Sequence, residues 1–263
     1  MPNNMDNKPA EISKNFIQED AWAPLKKFTN ARIAVGRTGH AIPLAENLRF
    51  MADHATARDA VYATLDEDKL VDAIQTITHT GVLHTKSMAS NRQEYLQRPD
   101  WGRRLDDVSK ELLEEYGAKS HYDIALIIAD GLSAHAVEMH APGVLKELLG
   151  LLHSANFTVA PICTAQQARV AISDEVGSLL HSTLSLIFIG ERPGLSSPHS
   201  MGIYITYNPA VGNTDESRNC ISNIHPIGGL SYKAAAAQAF DLIKNAFALK
   251  FSGVHLKSGK LLE

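Results

Sequence analysis

The chain has 263 residues, 44% of them hydrophobic, with 25 lysines and arginines against 29 acidic residues and a net charge of −4. That length admits one large domain or two modest ones with an ordinary core, and mild acidity without a basic block argues against a nucleic-acid partner. Two cysteines, Cys163 and Cys220, are too few for a secreted disulfide scaffold and suit a reducing cytosol.

The opening segment MPNNMDNKPAEISKNF is polar and lacks the apolar core of a secretory signal. No apolar run approaches the roughly 18–20 residues needed to span a bilayer. No membrane partner and a cytoplasmic location are therefore expected. Residues 1–20 bury little and read as a flexible tail. Within it, Ile12, Phe16 and Ile17 could form one face of a short docking helix.

Residues 22–117 read as mostly helical. Leu44, Leu48, Met51 and Ala55 recur at helical spacing, as do Leu70, Ala73 and Ile77. Pro43 suits the start of the first of these helices, where its missing N–H costs little. Pro99-Asp100-Trp101-Gly102 marks a turn, and the following helix stops near Tyr116-Gly117.

From residue 121 the pattern changes. Tyr122 to Ala129 is a β-type apolar run ended by Asp130-Gly131. Residues 132–153 have helical periodicity. Phe157 to Pro161 reads as a short strand, Asp174 to His181 as a helix, and Leu184 to Ile189 and Gly202 to Tyr207 as strands. Ser231 to Leu249 closes as a long helix with an alanine-rich face. Strands alternating with helices predict an α/β fold with a mainly parallel sheet. The expected organisation is a tail over 1–20, a helical domain over 21–119 and a Rossmann-like domain over 120–263.

Asp130-Gly131-Leu132-Ser133 follows a strand and opens a helix, so free helix N–H groups there can meet a polar ligand. The alternative is a plain turn with Asp or Ser as cap. Neither Gly-x-Gly-x-x-Gly nor Gly-x-x-x-x-Gly-Lys-[Ser/Thr] is present, and Arg37-Thr38-Gly39 has the wrong spacing for a phosphate loop. His135 and His140 are five positions apart and point roughly 140° apart on an ideal helix, which does not make a His-Glu-x-x-His metal site. They read as surface or supporting histidines. No metal site and no Gly-x-Ser-x-Gly nucleophile are found.

The arginines scattered over 32–104 read as solvated or paired, or as a face that grips another subunit. Gly190-Glu191-Arg192-Pro193-Gly194 ends an apolar strand and brings a carboxylate to the C-terminal edge of the sheet, where α/β folds bind ligands. Glu191 can accept hydrogen bonds from ligand amides or hydroxyls, or form a local pair with Arg192. Cys220 reads as part of a polar loop, Ser217 to Ile224, or as an inert core cysteine.

Six blocks in one order resemble the small (light, β) subunit of ethanolamine ammonia-lyase. They are Ala31 to Gly39, Ala55 to Val61, Tyr95 to Leu105, Ile128 to Ala134, Gly190 to Pro198 and Arg218 to Ile224. His199 departs from the acidic residue expected there. The resemblance implies conversion of ethanolamine to acetaldehyde and ammonia by an adenosylcobalamin-dependent radical route. It implies that a barrel-shaped large subunit holds the substrate, with the helical domain as its contact, and that this chain clamps the cobalamin against it. Residues 120–263 are too few for the roughly 250 of such a barrel.

Carried over residue by residue, the cofactor contacts are Val170 with Arg169 beside it, Glu191 and Cys220. No catalytic residue is assigned to this chain. An Asp-x-His-x-x-Gly motif is absent, so the cofactor is expected base-on. Packaging in a bacterial microcompartment is left open by the residues. The competing readings are a nucleotide-binding oxidoreductase on a Rossmann-like sheet, which lacks its glycine fingerprint, and a non-catalytic interaction protein.

Overall fold

A computed structural model describes residues 16–118 and 120–256. The chain divides into two compact units, Met1–Ala55 and Thr56–Glu263. Most of the expected tail, including Ile12, lies outside the described residues; Phe16 and Ile17 are exposed and not helical.

The first unit holds a 3-10 turn at Ala23–Phe28, a bridge between Gln18 and Arg37 and the first residues of helix α1 (Leu44–Tyr62). Arg32 donates to Asp53 at 2.6 Å. Trp22, Phe28, Leu44 and Met51 remain exposed.

The second unit contains a six-stranded sheet among its described residues, in the order β1-β3-β2-β4-β5-β6. The strands are β1 (Val82–Lys86), β2 (Tyr122–Ala129), β3 (Ile162–Gln166), β4 (Ser182–Gly190), β5 (Met201–Tyr207) and β6 (Arg218–Ile224). The helices are α2 (Glu67–Gln75), α3 (Arg92–Gln97), α4 (Asp107–Gly117), α5 (Ala134–Ser154), α6 (Ile172–Leu179) and α7 (Tyr232–Leu249). The α/β class is as the alternation of strands and helices implies.

β2 shows why the sheet is sandwiched. Ile124, Leu126 and Ile128 enter one core with α2, α5 and α7, while Ala125, Ile127 and Ala129 enter a second core with α4 and α6. A strand buried on both faces reads as a continuous apolar run, which is how the sequence writes it. Ser231 caps α7 by accepting from the Ala234 N–H, and Asp106 caps α4 by accepting from the Ser109 N–H.

Three elements and the strand direction differ from expectation. β1 lies inside the stretch read as helical; its buried Leu83 and Thr85 alternate with outward His84, a period-2 pattern too short to stand out. β3 lies at 162–166 rather than at 157–161, where Val159 makes only an isolated bridge to Ile124. β3 hides its signal because its polar Thr164 is buried, with the hydroxyl bonded to Glu67. Residues 218–224 form β6 instead of a loop. Arg218, Ile221 and Ile224 are its buried residues, and a register shift interrupts the alternation.

The fourth difference is strand direction. β1, β3, β2 and β4 are parallel, but β5 and β6 return antiparallel, so the sheet is mixed. The connection from β4 to β5 is short and carries no helix, and a parallel neighbour needs a crossover of a dozen residues or more. No helix among the described residues is long and apolar enough to cross a membrane.

Candidate functional site

The C-terminal ends of β1, β3, β2 and β4 share one edge of the sheet. α5 leaves β2 onto one face and α6 leaves β3 onto the other. The strand ends between two such helices frame the crevice where α/β sheets bind ligands.

Asp130 sits at the end of β2, 2% exposed. Its carboxylate accepts the backbone N–H groups of Gln167 at 2.9 Å and Ala168 at 3.0 Å. Arg92 lies 3.6 Å away. Burial pushes the Asp130 carboxyl above its ordinary range, against the pull of the Ala168 N–H and of Arg92. Neither Asp130 nor Ser133 caps α5: Ser133 takes the N-cap position without a side-chain bond to the helix, and its hydroxyl donates to the Pro198 carbonyl at 3.3 Å. The turn therefore braces the loops after β3 and β4, a role that motif spacing could not reveal.

The loop after β3 carries Arg169 and Val170. Arg169 donates its backbone N–H to Gly102 at 2.7 Å and its Nη2 to the Tyr95 carbonyl at 3.3 Å. Its Nε is buried with no hydrogen-bond partner. Val170 is half-buried against the core on the α6 face, and its carbonyl accepts from Ser173 at the start of α6.

Glu191 follows β4 directly. Its carboxylate accepts from the Ser200 hydroxyl at 2.7 Å and from the Asn223 N–H, and it makes no pair with Arg192. The side chain passes over Gly202 of β5, where an added Cβ would lie 3.1 Å from Oε1. Beyond it stand Tyr204 and Cys220, paired across β5 and β6 and so on one face of the sheet. Cys220 is exposed. Burial raises its thiol pKa, a bond from Tyr204 opposes that rise, and the Glu191 charge adds to it.

Tyr204 and Val170 both pack against the α6-side core. The four expected residues thus fall into two groups on that face: Glu191 with Cys220, joined through Tyr204, and Arg169 with Val170. No hydrogen bond joins the two groups among the described residues. Tyr95, Asp130, Ser200 and Asn223 support these groups. Tyr95, Asp130 and Asn223 stand inside the resembling blocks, but only Asp130 carried a signal of its own, by ending an apolar strand.

A histidine cluster flanks the 191–200 loop. His140, 2% exposed, takes the Tyr232 hydroxyl on Nδ1 at 2.8 Å and faces the His199 carbonyl with Nε2 at 2.9 Å, so it is a core histidine and not a surface one. His135 is exposed beside Glu138, its ring centroid 6.0 Å from that of His199. His225 meets Ser197 at 3.2 Å and Asn223 at 2.9 Å.

Corrin is a broad apolar disc rimmed by amides, and a site for it needs apolar walls with a few placed polar groups. Val170 and Cys220 are apolar, accessible in part, and lie on one face. The unpartnered Nε–H of Arg169 is a donor suited to an amide carbonyl. The residues present fit such a group.

A family model described as "Ethanolamine ammonia-lyase light chain (EutC)" matches residues 19–257. The "Ethanolamine ammonia-lyase small subunit" of Xanthomonas campestris pv. campestris is 48% identical over 240 residues, covering 90% of this chain and 88% of that protein. The protein of that name from Ralstonia nicotianae is 45% identical over 260 residues, 98% of this chain and 93% of its own length. The one from Pseudomonas aeruginosa is 44% identical over 241 residues, 91% and 88%.

Proposed function

Since the chain belongs to the ethanolamine ammonia-lyase light-chain family, we propose that it acts as the cobalamin-clamping subunit of a lyase that also needs a large subunit. The observation that carries this reading is the shared face of Val170, Tyr204 and Cys220, with Glu191 beside them at the C-terminal edge of the sheet.

Val170 and Cys220 are the apolar wall for the corrin, Arg169 the donor to a rim amide, and Glu191 the acceptor. Ser200 and Asn223 use part of the acceptor capacity of Glu191, and a carboxylate has about four lone-pair sites, so room for a further donor remains. When bound, adenosylcobalamin supplies the radical chemistry through its Co–C bond. The chain's own residues bind it, orient it and keep water from it. The cofactor is proposed to stay base-on. Residues 21–119 are proposed to contact the large subunit, a role supported by the exposed Trp22, Phe28, Leu44 and Met51.

The test compares the purified chain alone with the chain co-expressed with a large subunit, each incubated with adenosylcobalamin and ethanolamine. The expected result is a retained corrin spectrum and acetaldehyde formation only in the complex. Turnover by the chain alone, or a nicotinamide-dependent oxidation in its place, would overturn the reading.

A further inference from the structure

Tyr95 is a fully buried tyrosine on α3 with two guanidinium groups over its ring. The Cζ of Arg169 lies 4.2 Å from the ring centroid and that of Arg92 4.6 Å. A cation over an aromatic face is attracted by the ring quadrupole, more strongly where water is excluded. The Tyr95 hydroxyl donates to the Ala168 carbonyl at 3.3 Å, and burial raises its pKa so that it keeps its proton.

The surroundings make this a clamp on one loop. Arg92, 9% exposed, is itself fixed: its Nε donates to Val61 at 2.6 Å and its Nη1 to Gly131 at 2.8 Å. From the other side, Asp130 takes the N–H groups of Gln167 and Ala168. Gly102 closes the arrangement, because a Cβ there would lie 2.8 Å from Arg169 Cγ and 3.1 Å from Tyr95 Cδ2.

An arginine side chain carries considerable rotamer freedom, and a ligand that binds it must restrain that freedom. Stacked on Tyr95 and bonded to its carbonyl, Arg169 is restrained before any ligand arrives. We infer that Tyr95 is a positioning residue for the cofactor-binding loop, acting through Arg169 without touching the ligand itself. This rests on the reading of Arg169 as a cofactor contact, and the experiment separates the two.

Adenosylcobalamin affinity, turnover number and assembly are measured on the complex with the large subunit for Tyr95→Leu, Tyr95→Phe, Arg169→Ala and the Tyr95→Leu/Arg169→Ala double variant. Tyr95→Leu is expected to weaken cofactor binding about tenfold with the saturated rate near normal, as loss of a desolvated cation–π contact implies. Tyr95→Phe keeps the ring and should restore most of that loss. The double variant should bind no more weakly than Arg169→Ala alone, because residues acting through one another are not additive.

Full additivity, a Tyr95→Phe as weak as Tyr95→Leu, or a fall in saturated rate at unchanged affinity would each overturn the positioning role. Unchanged affinity in Arg169→Ala would instead sink Arg169 as a cofactor contact, and this inference with it. If Tyr95→Leu does not assemble, Gly102→Ala keeps both side chains but presses on Arg169 and on the Tyr95 ring, and so disturbs their stack from the backbone side. Its affinity loss should vanish in the Arg169→Ala background, and persistence of the loss there would overturn the role.

Discussion

Asn223 donates its backbone N–H to both carboxylate oxygens of Glu191, at 3.2 and 3.3 Å, and so ties the end of β4 to β6 across the strand between them. The tie passes over Gly202, where any larger residue would press on the carboxylate. Glu191 is thus held in place by its own chain before it meets a ligand.

Glu191→Ala removes an acceptor for Ser200, for Asn223 and for the proposed cofactor donor. Leaving one such donor unpaired in a closed site costs about 1–3 kcal/mol. At about 1.4 kcal/mol per tenfold, cobalamin binding should weaken by about 5- to 150-fold. The complex should still form, because Glu191 is a loop residue outside both cores. Cofactor titration beside size-exclusion chromatography checks this, and unchanged affinity would remove Glu191 from the site.

The two cysteines give a test without mutation. Cys220 is exposed and Cys163 is fully buried, its thiol pushed up to about 12 by burial. A maleimide should label the native chain once, at Cys220, and twice after denaturation. Large subunit with adenosylcobalamin should slow the native labelling well beyond the large subunit alone. Equal rates with and without cofactor would contradict Cys220 as a corrin neighbour.

Asp130→Asn keeps the shape but turns an amide NH2 toward a backbone N–H of Gln167 or Ala168. One buried donor is left unsatisfied, so the folded chain should lose about 1–3 kcal/mol. Urea unfolding should show a lower midpoint with the slope unchanged. A native midpoint would mean that the loop after β3 does not depend on Asp130.

His140 and His199 both have pKa values lowered by burial in the folded chain. Below about pH 6.5, the ordinary histidine value, the unfolded chain takes up protons that the folded chain refuses. Stability should therefore be full above that pH and fall as pH drops through it toward the lowered folded values. Asp174, which burial raises to about 6, pulls the other way over the same range, so the histidine part is read by difference. Urea unfolding from pH 8 to pH 5 is compared for the native chain and His140→Gln, which should lose less stability as pH falls; equal slopes in the two would contradict the assignment.

Much of this was legible in the sequence because burial on two faces writes continuous apolar runs. β2 and β4 stand out on that signal, and α7 on its alanine-rich face. β1 and β3 were hidden because each has five residues and polar groups inside the core, such as Thr85 and Thr164, whose partners lie far along the chain. β6 was read as a loop because Asn219 and Asn223 suggest turns, yet here their side chains bond to Leu256 and His225. Of the proposed contacts, Glu191 and Cys220 could be named from blocks of sequence. Their supports could not, since Ser200 and Tyr95 reach their partners only after the fold has formed.

The short return from β4 to β5 gives the two halves of the site different sequence separations. Glu191 reaches Ser200 nine positions away and Asn223 thirty-two away, within one run of neighbouring antiparallel strands. The loop at 167–169 is held by partners 37 to 74 positions back, in segments that precede the crossover through α5. Contacts of short range close with less loss of chain entropy, and cooperative units tend to follow such neighbourhoods. The Glu191 half should accordingly outlast the Arg169 half in partly opened forms, with amide exchange at Gln167 and Ala168 preceding that at Glu191, whose N–H bonds the Ser200 carbonyl nine positions away. In the proposed clamp, cofactor loss on mild destabilisation would then begin at the side built from distant segments.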